Sequence, residues 1–191
     1  MTNIAVFGCG AVGSLLAVNL ATPEIRFILI DDDLVGPENI NTSAYLLSHI
    51  NMPKPRALAE TLYRKNKTIG VPVISTMNSW DIVERLVTKY EVDIVLDCFD
   101  NDDARWLLCK MMIDTLHVGV TASRTGACEW EEIYNLNPDG RARGDNPVCT
   151  HDLGRPILQL TAALAAAIVQ RFLNDGTKTN RYITESLHIL T

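Results

Sequence analysis

The sequence predicts an α/β fold: a mostly parallel sheet covered by helices on both faces, with further antiparallel strands toward the C-terminus. Two observations predict it. Short apolar runs of strand length alternate with segments of helical apolar periodicity as far as Val120, and a glycine-rich turn joins the first run to the first helix.

The first strand is read over Ile4, Ala5, Val6 and Phe7, followed by Gly8-Cys9-Gly10-Ala11-Val12-Gly13 and a helix from Val12 to about Leu20. This is G-x-G-x-x-G in the setting that gives the pattern meaning, after a strand and opening a helix. Gly8 permits the tight turn, Gly10 leaves the backbone bare for a phosphate, and Gly13 lets the helix sit close to the strands. The helix N-terminus offers unpaired N–H groups and a positive dipole end to an anion. The second strand, Phe27 to Ile30, ends on Asp31, Asp32 and Asp33. A carboxylate about 20 residues beyond the turn suits ribose hydroxyls, so Asp31 marks a nucleotide site of Rossmann-like type at the carboxyl ends of the first two strands. At this point a dehydrogenase and other nucleotide enzymes fit equally well.

From Leu34 to Met52 the pattern is broken by Gly36, Pro37 and several asparagines, which predicts a functional loop or short helices. A helix follows from Pro55 to Lys65, with Leu58, Leu62 and Tyr63 as its buried stripe and Ala59 allowing close approach. Val71 to Ile74 reads as strand three and Trp80 to Lys89 as a helix. Ile94 to Leu96 is strand four, delivering Asp97 and Asp100 to a sheet edge. A helix over Ala104 to Ile113 and a strand over Leu116 to Val120 complete the alternation. Beyond it, Trp130 to Leu136 suggests an antiparallel or edge strand, 137–152 a mobile loop, Pro156 to Leu173 a long helix covered on both sides by sheet packing or a subunit interface, and Tyr182 to Leu190 a final strand.

A length of 191 residues favours a single domain over 1–191, and a formal charge of -6 argues against broad affinity for nucleic acid or an anionic membrane. The apolar stretch from Ile157 to Ile168 is short for a bilayer and holds Gln159 and Thr161, so a buried helix fits better. The five cysteines form no CxxC pair, which points to reduced thiols, a cytoplasmic location and no structural zinc.

The segment Ile28 to Ser43 resembles the ubiquitin-activating enzyme family, which includes the bacterial adenylyltransferases of thiamine and molybdopterin synthesis (ThiF and MoeB types). The family's D-x-D-x-V followed by S-N-L-x-R-Q is matched by Asp31, Asp33, Val35 and then Glu38 to Ser43. Met52 to Ala57 resembles its G-x-x-K-A helix opening, and Asp97, Asp100, Asn101 and Arg105 match D-C-x-D-N-x-x-x-R. The resemblance spans nearly the whole chain. It implies an ATP-dependent adenylyltransferase that activates a carboxylate as acyl-adenylate, releases pyrophosphate, uses Mg2+ and forms a homodimer. The implied substrate is a small carboxylic acid or the C-terminal glycine of a ubiquitin-like carrier, the small acid being favoured because no separate recruitment domain is seen.

By that resemblance Asp31 holds the ribose, Asn39 approaches a phosphate, Arg56 takes the family's lysine position, and Asp100 positions magnesium and the reacting phosphate. Magnesium prefers carboxylate and phosphate oxygen, and a cation at Arg56 neutralises triphosphate charge. Cys149, in Pro147-Val148-Cys149-Thr150, resembles the thioester cysteine of eukaryotic members, with His151 close by in sequence. The departures are Thr42 for an arginine, Arg56 for a lysine, and a chain that starts at the first strand without the preceding helix of bacterial relatives.

Other roles stay open in the residues themselves. Asn39 is either ligand-facing or a turn cap; Asp33 and Asp97 either meet ligand or hold backbone; Arg105 either touches phosphate or forms an ion pair. His117 reads as structural, Arg124 as a surface or turn residue or else a substrate contact, and Arg141 and Arg143 as solvated loop groups or else partner contacts. Two further readings of the chain are a nucleotide-binding interaction subunit without adenylation, and an NAD-dependent oxidoreductase.

Overall fold

The computed structural model describes residues 1–109, 111–120, 125–131 and 154–191. Strands β1 (Thr2–Phe7), β2 (Ile25–Asp31), β3 (Ile69–Ile74), β4 (Ile94–Asp97) and β5 (Thr115–Val120) are parallel, and β6 (Gly126–Trp130), β7 (Arg181–Ile183) and β8 (Ile189–Leu190) extend them antiparallel. Together they make one eight-stranded sheet in the order β3-β2-β1-β4-β5-β6-β7-β8. Its helices are α1 (Ala11–Leu20), α2 (Lys54–Asn66), α3 (Trp80–Tyr90), α4 (Asp102–Leu108) and α5 (Gly154–Asp175).

The central strands are apolar at successive positions because both faces are covered. Ile4 and Val6 of β1 enter a core with Leu16 and Leu20 of α1, Leu58 and Leu62 of α2, and Ala162, Ala165 and Val169 of α5. Ala5 and Phe7 point the other way, into a second core with Val83 of α3 and Leu108 of α4. On the outer strand β3, Pro72 takes a position where a missing N–H is tolerated. Chain order runs outward from β1 through β2 to β3 on one side and through β4 to β5 on the other. A crevice therefore opens at the carboxyl ends of β1 and β4, the switch point where open α/β sheets bind ligands.

The structure departs from the expected elements at several places. Tyr63 lies on the exposed side of α2, 58% accessible, because the stripe facing the sheet is Ala57, Leu58 and Leu62. Helix α4 stops at Leu108 rather than Ile113: its buried positions are Ala104 and Leu108, Met112 one turn on is fully exposed, and Met111 and Ile113 pack on the core from beyond the helix. Residues 132–136 of the expected strand lie outside the described residues, while an antiparallel strand, β6, begins before the expected start and includes Trp130. Its small residues disguised it in the sequence, yet a Cβ at Gly126 would collide with Thr161 Oγ1 of α5. The Tyr182 to Leu190 segment is two short strands, β7 and β8, and not one.

Helix α5 is longer than expected. Arg155–Asp175 is long and apolar enough by length and composition to cross a membrane. Here it packs as a core helix against α1, β5 and β6, burying Ile157, Leu158, Thr161, Ala162, Ala165, Ile168 and Val169, while Gln159, Ala163, Ala167 and Gln170 are exposed. Within the single chain the packing covers the Ile157, Thr161, Ala165 and Ile168 side.

Gly13 lies against backbone, since a Cβ there would overlap the carbonyl oxygen of Gly8, whereas a Cβ at Gly10 meets nothing within 4 Å. Gly13→Ala is therefore expected to lose at least the roughly 1–3 kcal/mol typical of an overpacked core. Gly10→Ala should cost less than about 1 kcal/mol, the scale of a changed helix cap. Urea denaturation of both variants checks the contrast.

Candidate functional site

The glycine turn is formed by backbone contact. Gly8 has φ +91°, and a Cβ on it would stand 2.8 Å from the carbonyl of Cys98, so the ends of β1 and β4 meet with no side chain between them. Gly10 caps α1, and no side chain caps the helix or places an acid in its first turn. Its leading N–H groups face the switch-point crevice with their dipole.

Asp31 fastens this turn to the next loop. One oxygen accepts from the Cys9 amide at 2.7 Å and the other from the Asp33 amide at 2.8 Å, and the residue is 7% exposed. Burial raises its pKa above the ordinary aspartate value, while the charge of Lys54 and the two amides pull it back. Between the unfolded and the raised folded value the native state holds the extra proton. Stability therefore falls as pH rises through that window, and ionised Asp31 opposes folding above it.

The loop after β2 closes over the crevice. Tyr45, nearly buried, donates its hydroxyl to the Cys9 carbonyl, and Ser14 Oγ of α1 accepts from the Ala44 amide at 3.1 Å. Asn39 Oδ1 accepts from the Gly36 amide at 2.9 Å, so its oxygen serves as a cap for the 3₁₀ turn Pro37–Asn39. Thr42 is buried, with its hydroxyl toward the Glu38 carbonyl.

Lys54, the first residue of α2, places a cation at the crevice. Lys54 Nζ lies 2.6 Å from Asp33 Oδ2 with the lysine side chain 11% exposed. Burial alone would lower its pKa, but Asp31, Asp33 and Asp100 more than offset that and the net shift is upward. Arg56 is exposed. Two helical positions turn a side chain by about 200° around the axis, so Arg56 leaves α2 in a different direction from Lys54. In sequence Arg56, followed by Ala57, keeps the lysine position of the resemblance, and Lys54 stands two residues before it in the same Met52 to Ala57 window.

Asp100 is exposed at the β4–α4 turn and acts on Lys54 from that side, so Gly8, Gly10, Gly13, Asp31, Asp33, Lys54 and Asp100 gather at one crevice. Carboxylate oxygens of Asp31, Asp32 and Asp33 lie within 4.8 Å of one another, though Asp32 also accepts from Thr76 Oγ1 at 2.6 Å. Asp97 turns away: it is fully buried, 2.8 Å from His117 Nδ1 and 3.5 Å from Arg105 Nη1. Arg105 thus takes the ion-pair role and His117 the structural one. Sequence reasoning missed Lys54, Tyr45 and Ser14; for Tyr45 and Ser14 no local pattern announced the contact.

Burial raises the Cys9 thiol well above its ordinary value and pushes Cys128 up to about 12, and Cys98 is raised likewise. None of the three is an activated nucleophile. Cys149, Arg124, Arg141, Arg143 and His151 lie outside the described residues.

The ThiF family model matches residues 1–184. Over 113 residues the chain is 35% identical to the ubiquitin-like modifier-activating enzyme 5 of Caenorhabditis elegans, covering 54% of this chain and 27% of that protein. It is 32% identical over 140 residues to the adenylyltransferase and sulfurtransferase UBA4 of Yarrowia lipolytica, covering 71% of this chain and 34% of the relative. The chain therefore spans about a third or less of these curated relatives. In structure it is similar to E. coli MccB with ATP, at TM-score 0.77 and 17% identity over 99% of this chain and 62% of MccB, a likeness of fold.

Replacing Lys54 by methionine removes the main charge that holds Asp31 down. NMR titration of the Asp31 carboxyl should show a pKa above the ordinary aspartate value in the parent protein and a further rise in Lys54→Met.

Proposed function

Because the chain belongs to the ThiF family, we propose that it is an ATP-dependent adenylyltransferase activating a substrate carboxylate as its acyl-adenylate. The observation that carries the reading is Lys54, held among Asp31, Asp33 and Asp100 in front of the uncapped N-terminus of α1. The named activity of the UBA4 relative supports it.

In this reading the adenosine ribose lies beside Asp31, whose oxygens are oriented by two amides, and the triphosphate runs along the bare backbone at Gly10 and the head of α1. Lys54 leaves Asp33 for the phosphate oxygens, exchanging one anionic partner for another. A carboxylate oxygen of the substrate attacks the α-phosphorus, the bond to the bridging oxygen breaks, and pyrophosphate leaves with that electron pair. The chain contributes alignment and positive charge where negative charge grows, and no side chain forms a covalent bond to phosphorus.

A magnesium ion fits the exposed Asp100 carboxylate as a hard oxygen ligand, and when bound it supplies charge neutralisation to the phosphates. Lys54 adds a cation at a crevice where Thr42 stands for the family's arginine, which favours turnover over a binding-only subunit. The substrate class is a small carboxylic acid or a carrier-protein C-terminus; relatives named as activators of ubiquitin-like modifiers support the second. The expected homodimer belongs to the same proposal.

ATP–pyrophosphate exchange with candidate carboxylates tests it. Lys54→Ala is expected to lower exchange by about 10²-fold, the scale for removing one preorganised charge donor. Arg56→Ala should stay within about twofold of the parent, as an exposed charge does. Binding of NAD in preference to ATP would overturn the reading in favour of an oxidoreductase.

A further inference from the structure

The β4–α4 turn, Cys98 to Asn101, carries Asp100 and is gripped from the side away from the crevice. Arg105 Nε donates to the Phe99 carbonyl at 2.6 Å, and Arg105 Nη2 donates to the Val118 carbonyl of β5 at 2.6 Å. Its Nη1 lies 3.5 Å from Asp97 Oδ2, with the arginine side chain 11% exposed. Asp97 Oδ1 accepts from the Phe99 amide at 3.1 Å, so both polar backbone groups of Phe99 are held by this pair. On the other side of Asp100, Asn101 Oδ1 caps α4 by accepting from the Ala104 amide at 2.8 Å. Asp100 thus has both neighbours fixed while its own side chain is exposed.

Room for the guanidinium comes from β5. A Cβ on Gly119 would stand 3.3 Å from Arg105 Nη2, tighter than ordinary contact. The planar fork matters here, because three acceptors on the turn, on β5 and on β4 are met from three nitrogens, and a lysine ammonium is a point charge that cannot span them.

We infer that Arg105 is a positioning residue: seated over Gly119 and joined to Phe99, Val118 and Asp97, it holds the β4–α4 turn so that Asp100 stays opposite Lys54. This rests on the reading of Asp100 as a nucleotide-facing carboxylate.

The test compares the full chain with Arg105→Lys, Gly119→Ala, Asp100→Asn and the Arg105→Lys/Asp100→Asn pair. Amide exchange of Phe99 is expected to quicken by about tenfold or more in Arg105→Lys while β1 amides stay protected, the mark of local opening. Calorimetry and pyrophosphate exchange should show Arg105→Lys losing magnesium-dependent ATP affinity and exchange rate as Asp100→Asn does, with adenosine affinity unchanged. The double variant should be no worse than Asp100→Asn alone, because both act through one group. Gly119→Ala, which keeps the arginine and crowds it, is expected to give the same pattern in milder form and carries the test if Arg105→Lys does not fold. Unchanged Phe99 exchange, or losses that multiply in the double variant, overturns the inference. If the parent protein binds no ATP, the adenylyltransferase reading falls, while the amide-exchange comparison still decides the role of Arg105.

Discussion

Everything at the crevice depends on one carboxylate receiving two backbone amides. Asp31 closes β2, and its oxygens reach back to Cys9 in the glycine turn and forward to Asp33 at the start of the next loop. Removing the charged group from water opposes folding, as the upward shift of its pKa shows. The two amides and Lys54 offset part of that burden. Isolated, the turn would have only its glycines to hold it; tied to Asp31, it is registered against the sheet.

From that tie the electrostatics of the site follow in order. An acid buried at a strand end attracts a cation, and the nearest rigid place for one is the head of α2, reached when the Leu34–Met52 segment folds back to pair Leu34 with Pro53. Lys54 is set there with Asp33 beside it and Asp100 acting from across the crevice. Behind Asp100 lies a second layer of charge, Asp97 with Arg105 and His117, enclosed between β4, β5 and α4. A nearly buried lysine in front and an enclosed ion cluster behind give the Asp100 turn polar support on both sides.

Much of this was legible in the residues. The parallel strands announced themselves because burial on both faces writes continuous apolar runs, and Gly8, Gly13 and Asp31 were identified because their roles are local in the chain. The boundaries that failed did so for lack of a tertiary term. Nothing in the Ala104 to Ile113 stretch says that the helix ends at Leu108, and Gly126 reads as a breaker until Thr161 of α5 is brought against it. Lys54 was not singled out because Arg56 holds the motif's lysine place two residues on, and only the fold brings Lys54 beside Asp33. Tyr45 and Ser14 were invisible for a plainer reason, since each bonds across a segment whose path no periodicity specifies.

The contact of Gly13 with Gly8 has a thermodynamic consequence. Where α1 meets the turn, backbone touches backbone, and no rotatable side chain stands between the anion-facing amides and the central strands. An arriving phosphate has no rotamers to freeze at that junction, so the ordering penalty that weakens association elsewhere is small there. The crevice waits already assembled, with its stiffness borrowed from the sheet.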